Sequence, residues 1–430
     1  MSAALREWLS CAPKPLPLKD SQRWHVFISY RSVNRYWVLE LYDILRQLGY
    51  SVFLDQYVLS GAAPLALTLG EALDTSAAAI LVWSDTFEDS AWCKQEFGKL
   101  MQRETTEPEF SYVIAKLDKT VLTGLPAQKI YVDFSDRKEG PGGSDILRVL
   151  YGLVKSPLPE KAVKLAAQVD EEISQARISI AAARLNGDFE QLIELAKTDS
   201  LAWANSPMLG CAVADALLSL GKNDDALQLA NQLCDDFPKT ARPRQLKGLA
   251  EARKGNWKAA QTILGGLYVS GEIDPETLGI YARTWMDRYN ETKDTRYLLK
   301  SRELYRQAFE TNPKDYYTGI NAATKSLLLD ETQTASQLAA RVEGIVGQQA
   351  IPGDYWRTAT IAEVQLLQAK YAQAATLYEA AVSDAPEEFG SHASTCKQAR
   401  LILEHLQASA EDSAAVLKAF DHLARAVDAR

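Results

Sequence analysis

The sequence has few of the residues that build metal sites or disulfide frameworks. Its 430 residues include five cysteines, which are scattered without a C-x-x-C pair, and four histidines, which do not cluster near them. Structural zinc sites use closely spaced Cys and His ligands, and small secreted scaffolds use paired cysteines. We therefore expect no metal ion and no bound cofactor, and we expect a reducing, cytoplasmic compartment.

Long hydrophobic runs and an excess of positive charge are missing as well. No stretch approaches the roughly 18 uncharged apolar residues that a membrane-spanning helix needs. Near the start, Arg6 and Glu7 interrupt the apolar residues, so residues 1–22 are interpreted as a tail and not as a secretory signal. The formal net charge is -9, which provides no attractive field for a nucleic-acid backbone. Neither a membrane nor a nucleic acid is an expected partner.

Short apolar segments alternate with amphipathic helices over residues 23–156. The segments HVFISY, SVFLD, AAAILVW, SYVIAKL and QKIYVDF each have the length and composition of a strand in a parallel sheet. Apolar residues at three- and four-residue spacing predict a helix from about Tyr36 to Leu48, with Gly49 just past its end. Ser144 and Asp145 are expected to cap the last helix. The alternation predicts a doubly wound, parallel five-stranded α/β sheet of the flavodoxin-like kind.

Polar residues follow the strands at the edge where such sheets bind ligands. Doubly wound sheets bind at the carboxyl ends of their strands, where the winding direction reverses. The residues at these ends are Tyr30, Arg31, Asp55, Ser84 and Asp85. Structural roles compete with binding, because Arg31 can pair with Asp55, Asp55 can bond within its own loop, and Ser84 can start a helix.

Three successive segments resemble the signatures of a known family. FISYRS, SVFLDQ and SAWCKQEFGKL closely resemble, in order and spacing, those of the Toll/interleukin receptor (TIR) domain, over about residues 23–156. In the NAD-cleaving members of that family, the catalytic glutamate lies in a pattern like W-C-x-x-E. The resemblance therefore implies that Glu96 is catalytic. Without the motif, a glutamate on an amphipathic helix is usually a solvated charge.

The chemistry that the resemblance implies needs only one carboxylate. Cleavage of the bond between ribose and nicotinamide in NAD+ builds positive charge on the ribose, and nicotinamide leaves as a neutral molecule. Glu96 is expected to stabilise the ribose. Trp92 lies one helical turn before it, as an aromatic platform for the substrate or as part of the core. Arg31 is expected to bind the diphosphate and Tyr30 to frame the base.

The resemblance also implies self-association of the TIR domain. The loop from Gln56 to Leu65 corresponds to the family segment that closes over the site of a neighbouring copy. Here it reads Leu59, Ser60, Gly61, in place of the acidic or proline-containing stretch of many active members. No role is assigned to Ser60 or Gly61.

The composition changes after Pro157 and Pro159 to helical sequence rich in Ala and Leu. Residues 157–200 are expected to form a linker and connecting helices, including a long helix from Glu160 to Leu185. Residues 201–430 are predicted to form an all-α superhelix of tetratricopeptide-like repeats.

Self-similarity supports that prediction. Gly221 and Ala226 recur as Gly255 and Ala260, a shift of 34 residues, which is the tetratricopeptide period. A later unit runs from Tyr355 to Glu388, with Ala362, Ala374, Tyr378, Ala381 and Pro386 at the positions typical of a repeat. A longer unit has gained about seven residues near NETKDTR. The following unit begins with KDYYTGINAATKSLLL. This segment and its neighbours resemble the helical-repeat regulatory region of apoptosis signal-regulating MAP kinase kinase kinases, which implies a regulatory, partner-binding role.

These features predict an NAD+ glycohydrolase that is activated by TIR self-association and regulated by its repeats. The product is ADP-ribose or a cyclic variant, and the trigger on the repeats is a protein or another signal. In a bacterium, such an effector would resemble immune proteins that deplete NAD+ on phage infection. One alternative is a non-enzymatic TIR signalling adaptor or scaffold. Another is a secreted factor that interferes with host TIR signalling.

Overall fold

The computed structural model describes residues 3–54, 65–87, 91–122, 126–129, 131–136, 140–141, 144–204 and 206–423. Its contacts divide the chain into two compact units. Unit 1 comprises Met1–Ile178, Ala196–Cys211 and Gln232–Pro243. Unit 2 comprises Ser179–Leu195, Ala212–Asn231 and Arg244–Arg430.

Within its described residues, unit 1 forms the predicted five-stranded parallel sheet. Its strands are Trp24–Ser29 (β1), Val52–Phe53 (β2), Ser76–Trp83 (β3), Ser111–Lys116 (β4) and Tyr131–Asp133 (β5). The order is β2-β1-β3-β4-β5, and all neighbours are parallel. The chain adds β2 on one side of β1 and then crosses to add β3 on the other. This reversal of direction is the feature that defines a doubly wound sheet.

Helices surround the sheet and continue the chain of unit 1. They are Ala3–Cys11 (α1), Arg35–Gln47 (α2), Leu65–Asp74 (α3), Ala91–Thr106 (α4) and Asp145–Leu153 (α5). Helix α2 was predicted within one residue at each end, and Gly49 has the left-handed φ of 86° that suits a residue beyond a helix end. Over the described residues, the edge strands β2 and β5 are shorter than the apolar segments that predicted them.

Two features at the ends of unit 1 differ from expectation. The stretch interpreted as a tail contains α1, whose Trp8 is only 1% exposed. The backbone N–H groups of Ala3 and Ala4 point at the carboxylate of Asp199, at 3.1 and 3.4 Å. Ser144 occupies the N-cap position of α5 as predicted, but its side chain makes no capping bond and donates instead to Asp170, at 2.5 Å.

Beyond the sheet, the described chain is helical, apart from its connecting turns. The helices are Glu160–Leu185 (α6), Phe189–Ala196 (α7), Leu201–Ala204 (α8), Met208–Ser219 (α9), Asn223–Asp236 (α10), Ala241–Arg253 (α11), Trp257–Val269 (α12), Pro275–Thr292 (α13), Thr295–Thr311 (α14), Tyr316–Leu327 (α15), Thr332–Val346 (α16), Tyr355–Leu367 (α17), Tyr371–Asp384 (α18), Phe389–His405 (α19) and Ala410–Leu417 (α20). The long connecting helix has the predicted bounds.

The helices of unit 2 follow the predicted 34-residue period. Gly221 and Gly255 occupy equivalent turns, each with a left-handed φ, of 79° and 87°. Ala226 and Ala260 are buried in the helices that follow. Small residues at these positions let paired helices pack closely. The insertion near NETKDTR lengthens α13 and α14 to 18 and 17 residues, against 13 each for α11 and α12.

None of the helices in the described ranges is long and apolar enough to cross a membrane. Those ranges also hold no cluster of three or more His, Cys, Asp or Glu side chains arranged to bind a metal ion.

Candidate functional site

The candidate site lies where β1 and β3 end. These neighbouring strands lie on either side of the point at which the sheet reverses its winding direction, and Ser29 at the end of β1 is paired with Leu81 of β3. The chain leaves the sheet after Ser29 and Trp83, so Tyr30, Arg31 and Ser84 follow at one edge. Ligands of doubly wound sheets bind in this crevice.

Glu96 is held at this edge by a neighbouring strand. It lies in the second turn of α4 and is half-buried. The hydroxyl of Ser29 donates a hydrogen bond to Glu96 Oε2 at 2.5 Å. One turn earlier on the same helix, the buried thiol of Cys93 lies 4.0 Å from the carbonyl oxygen of Tyr30. The structure therefore brings Glu96 to the end of β1, beside the residues that the sequence placed there.

Ser29 is a contact that the sequence interpretation missed. It belongs to the FISYRS segment, but as the last residue of a buried strand it was attributed to the sheet. Its burial and its hydrogen bond to Glu96 depend on the way α4 packs against β1. The available signal was a hydroxyl residue at the strand end, one position before Tyr30.

Ser84 takes part in a hydrogen-bonded loop at the end of β3. Its buried hydroxyl accepts a bond from Asn34 Nδ2 at 2.8 Å and lies 3.0 Å from Thr86 Oγ1. Asn34 belongs to a 3-10 turn that follows β1, Ser32–Asn34. These bonds join the loops that follow β1 and β3. A role for Ser84 in substrate binding stays a prediction.

The guanidinium group of Arg31 includes a donor, Nε, that has no acceptor within the described residues. The side chain is half-buried. A buried guanidinium donor without an acceptor is unfavourable, by about 1–3 kcal/mol. An anionic ligand at the strand edge would supply that acceptor.

Two predicted ligands fall outside this description. Asp55 lies outside the described residues, as does most of the loop from Gln56 to Leu65, and so does the side chain of Trp92. Their assignments stay predictions. Aromatic side chains that the structure does describe lie close by: Trp83 stacks on Phe87 with ring centroids 4.1 Å apart, and Phe97, next to Glu96, meets Trp83 edge-on at 6.4 Å.

Comparison with known proteins gives an independent account of both parts of the chain. A family model described as the TIR domain matches residues 26–147. A second, described as Tetratricopeptide Repeats-Sensor, matches residues 222–328. The chain carries an N-terminal TIR domain followed by tetratricopeptide-like sensor repeats. A TIR domain indicates TIR signalling or NAD cleavage as the general function.

Individual known proteins are similar to parts of the chain. The TMV resistance protein N of Nicotiana glutinosa is 33% identical over 90 residues, which are 20% of this chain and 8% of that protein. A thermophilic TPR protein of Thermus thermophilus is 16% identical and covers 44% of this chain and 96% of its own, with a TM-score of 0.36. MamA of Desulfovibrio magneticus, from residue 41 onward, is 16% identical and covers 40% and 93%, with a TM-score of 0.31.

Proposed function

We propose that the TIR domain is an NAD+ glycohydrolase that releases nicotinamide and forms ADP-ribose or a cyclic variant of it. The observation that carries the proposal is the placement of Glu96. Its carboxylate lies at the carboxyl edge of the sheet and accepts a hydrogen bond from Ser29 at the end of β1. A carboxylate held in one orientation at the ligand-binding crevice of a doubly wound sheet is suited to a substrate that becomes positively charged.

Beyond this carboxylate, the reaction requires few catalytic groups from the protein. As the bond between C1′ of the ribose and the nicotinamide nitrogen breaks, its electron pair leaves with nicotinamide, and positive charge develops on the ribose ring. Nicotinamide leaves neutral, so no proton donor is required. Glu96 stabilises the developing charge and engages the ribose hydroxyls. Water, or the adenine of the same molecule, then attacks the ribose to give the linear or the cyclic product.

We assign the remaining predicted ligands to the rest of the substrate. Arg31 Nε, which has no hydrogen-bond partner among the described residues, can donate to the diphosphate. Tyr30 follows β1 next to Arg31, Ser84 follows β3, and Trp92 precedes Glu96 by one turn of α4. Together with Asp55, these residues are our proposed substrate-binding set.

The biological role that we propose is that of an immune effector. TIR domains self-associate, and sensor repeats downstream of one suggest that a trigger received by the repeats controls this assembly. The matched relative from Nicotiana glutinosa is a resistance protein. In a bacterium, the same design would deplete NAD+ in response to phage.

The direct test is release of nicotinamide from NAD+ by the full chain, followed by chromatography of both products over a series of protein concentrations that favours assembly. We expect Glu96→Gln to reduce the rate by about 100-fold or more, since it removes the charge that stabilises the ribose. Cys93→Ala and Glu104→Gln, on the same helix, are matched controls that should retain the activity.

The adaptor hypothesis makes the opposite prediction. A wild-type chain that assembles and releases no nicotinamide, together with a Glu96→Gln variant that signals as strongly as wild type, would contradict the enzymatic proposal.

A further inference from the structure

Unit 2 contains a partly open cavity of about 390 Å³ that is lined by helices from separate repeats. Residues of α9, α11, α13, α15, α17 and α19 face it, which are the first helices of successive pairs. This volume is within the usual range for small-molecule sites.

The cavity lies where the end of the array meets its beginning, and Ser219 and Ser394 are both in its lining. Gly390, in the first turn of α19, packs against the turn after α9. A Cβ atom at Gly390 would overlap the carbonyl oxygen of Leu218 and come within 2.9 Å of Ser219 O and Gly221 N. Arg184 of α6 adds a hydrogen bond from its Nε to Glu388 Oε1 at 2.8 Å. These contacts link residues that are far apart in the sequence, so the concave groove becomes a chamber.

Two arginines give the chamber a site for an anion. Arg253 donates to the carbonyl oxygen of Leu218, while its Nε has no hydrogen-bond partner within the described ranges. Burial lowers the pKa of Arg253 to about 10, and the nearby charge of Arg283 contributes to that decrease, but the group stays cationic at neutral pH. Within the described residues, Arg283 makes long contacts, at 3.5 Å to Ser394 Oγ and 3.9 Å to Asp287 Oδ2. The donor at Arg253 Nε and the long contacts of Arg283 leave two neighbouring guanidinium groups able to bind an anion.

Three carboxylates of the chamber already accept hydrogen bonds from the protein. Glu363 accepts bonds from Thr324 and Gln398, at 2.5 and 2.7 Å. Asp315 caps α15 by accepting from the backbone N–H of Tyr317. Asp287 accepts from Lys397 at 2.8 Å through Oδ1. These pairs leave much of the arginine hydrogen-bonding capacity to a ligand.

Further polar atoms in the same chamber are buried without a partner. Neither amide atom of Asn290 makes a hydrogen bond to the described chain, and Asp287 Oδ2 also lacks one. Each such group costs about 1–3 kcal/mol. Asn290 offers both a donor and an acceptor, so it suits a ligand that carries hydrogen-bonding groups besides its charge.

The wall of the chamber also presents aromatic side chains. Trp356 and Tyr316 line it and are half-buried. A half-buried aromatic side chain retains surface on which a planar ring can stack.

We propose that this chamber is a binding site for a small organic anion, in which a phosphate or carboxylate group meets Arg253 and Arg283, polar atoms meet Asn290, and a planar ring stacks on Trp356 or Tyr316. The site belongs to the repeats and does not depend on NAD+ cleavage by the TIR domain.

Binding is tested by calorimetry on the full chain with two anions that carry a ring, adenosine 5′-monophosphate and N-benzoylglycine. Adenosine and inorganic phosphate serve as the probes that lack one of the two features. We expect a ring-bearing anion to bind with a Kd of about 1 mM or tighter. Stacking on Trp356 should quench tryptophan fluorescence, and Trp356→Phe should then abolish this quenching. The two single-feature probes should bind at least about tenfold more weakly.

Variants separate binding from folding. Arg283→Met should weaken binding at least about tenfold, and Arg306→Met, an exposed arginine outside the chamber, should leave it unchanged. Asn290→Ala removes an amide that has no hydrogen-bond partner within the described residues, so it should keep the fold and weaken binding. The proposal is overturned if neither ring-bearing anion binds, if inorganic phosphate binds as tightly as they do, or if Arg283→Met and Asn290→Ala both bind like wild type. Repeating the titrations in Glu96→Gln shows that the result is independent of catalysis.

Discussion

The strand edge of the TIR domain and the chamber of the repeats are both places where polar side chains converge, but they are built in different ways. At the strand edge, Ser29, Tyr30 and Arg31 follow one another in the chain, and Ser84 directly follows the neighbouring strand. In the chamber, the polar residues range from Asp215 to Gln398 and come from helices of separate repeats. The first site follows from strand ends that must meet in a parallel sheet. The second depends on closure of the whole helical array.

The two places also differ in how many buried polar atoms lack a hydrogen-bond partner within the described chain. At the strand edge, Ser84 and Glu96 have partners, while Arg31 Nε lacks one. In the chamber, both amide atoms of Asn290 and Arg253 Nε lack one. Polar groups with partners contribute to stability, and those without one are available to ligands. Four measurements test this contrast.

The largest expected effect is at the closure of unit 2. Gly390→Ala places a Cβ against the backbone of Leu218 and Ser219, so we expect the free energy of unfolding to fall by about 4 kcal/mol. Chemical denaturation measures the change, and hydrogen exchange should show lost protection at the start of α19. Gly344→Ala, at a helical glycine with nothing within 4 Å, is the matched control and should stabilise by up to about 1 kcal/mol. Equal effects of the two substitutions would mean that the contact of Gly390 with Leu218 and Ser219 does not stabilise unit 2.

The next effect concerns a buried carboxyl in unit 1. Glu40 is 4% exposed, and burial, together with the nearby charge of Asp43, raises its pKa from 4.5 to about 8, against a smaller opposing effect of its bond to Ser206. Its protonated form contributes full stability below about pH 4.5, and this contribution is lost as the pH rises towards about 8.

Glu40→Gln mimics the protonated carboxyl, so the variant should match wild type near pH 5 and exceed its free energy of unfolding by about 3 kcal/mol near pH 8. Denaturation at the two pH values measures the difference. Parallel pH dependence in the two proteins would show that Glu40 is ionised in the folded chain.

A smaller effect tests the value of satisfied polar groups. Asp43 Oδ2 accepts bonds from the N–H groups of Lys239 and Thr240 and from the hydroxyl of Thr240, at 2.9, 2.6 and 2.7 Å. Asp43→Ala removes these three bonds, and we expect a loss of about 2 kcal/mol in the free energy of unfolding. Asn290→Ala is the comparison in unit 2 and should cost clearly less. A larger loss for Asn290→Ala would reverse the contrast between the two regions.

The smallest effect is at the strand edge itself. Ser29→Ala removes the hydrogen bond to Glu96, so stability should fall by about 1 kcal/mol and nicotinamide release by about tenfold, mainly through kcat. Steady-state kinetics measures the change. Ser51→Ala, which removes a 2.6 Å contact with His25 in the same unit, should leave the rate unchanged. An unaltered rate in Ser29→Ala would indicate that this bond does not orient the carboxylate.

Much of the fold could be predicted because its signals are local. Strand composition predicted the five-stranded sheet, and the recurrence of Gly221 at Gly255 predicted the period of the repeats. The bond between Ser29 and Glu96 could not be predicted, because it depends on the packing of α4 against β1. The burial of Trp8 depends on contacts that no local pattern describes.

The α/β and all-α classes of the two regions, and the location of the candidate site at the strand edge, follow from the sequence alone. Apolar periodicity selects strand or helix, and parallel strand ends necessarily share an edge, so Arg31 and Ser84 could be placed from the chain alone. Only the tertiary structure decided which atoms meet. In the sequence, Gly390 is an ordinary glycine near the start of a helix. The folded array places it against Leu218, and it also makes Arg253 and Arg283 neighbours in one chamber. Closure depends on the combined geometry of many helix pairs, so it cannot be predicted from any single segment.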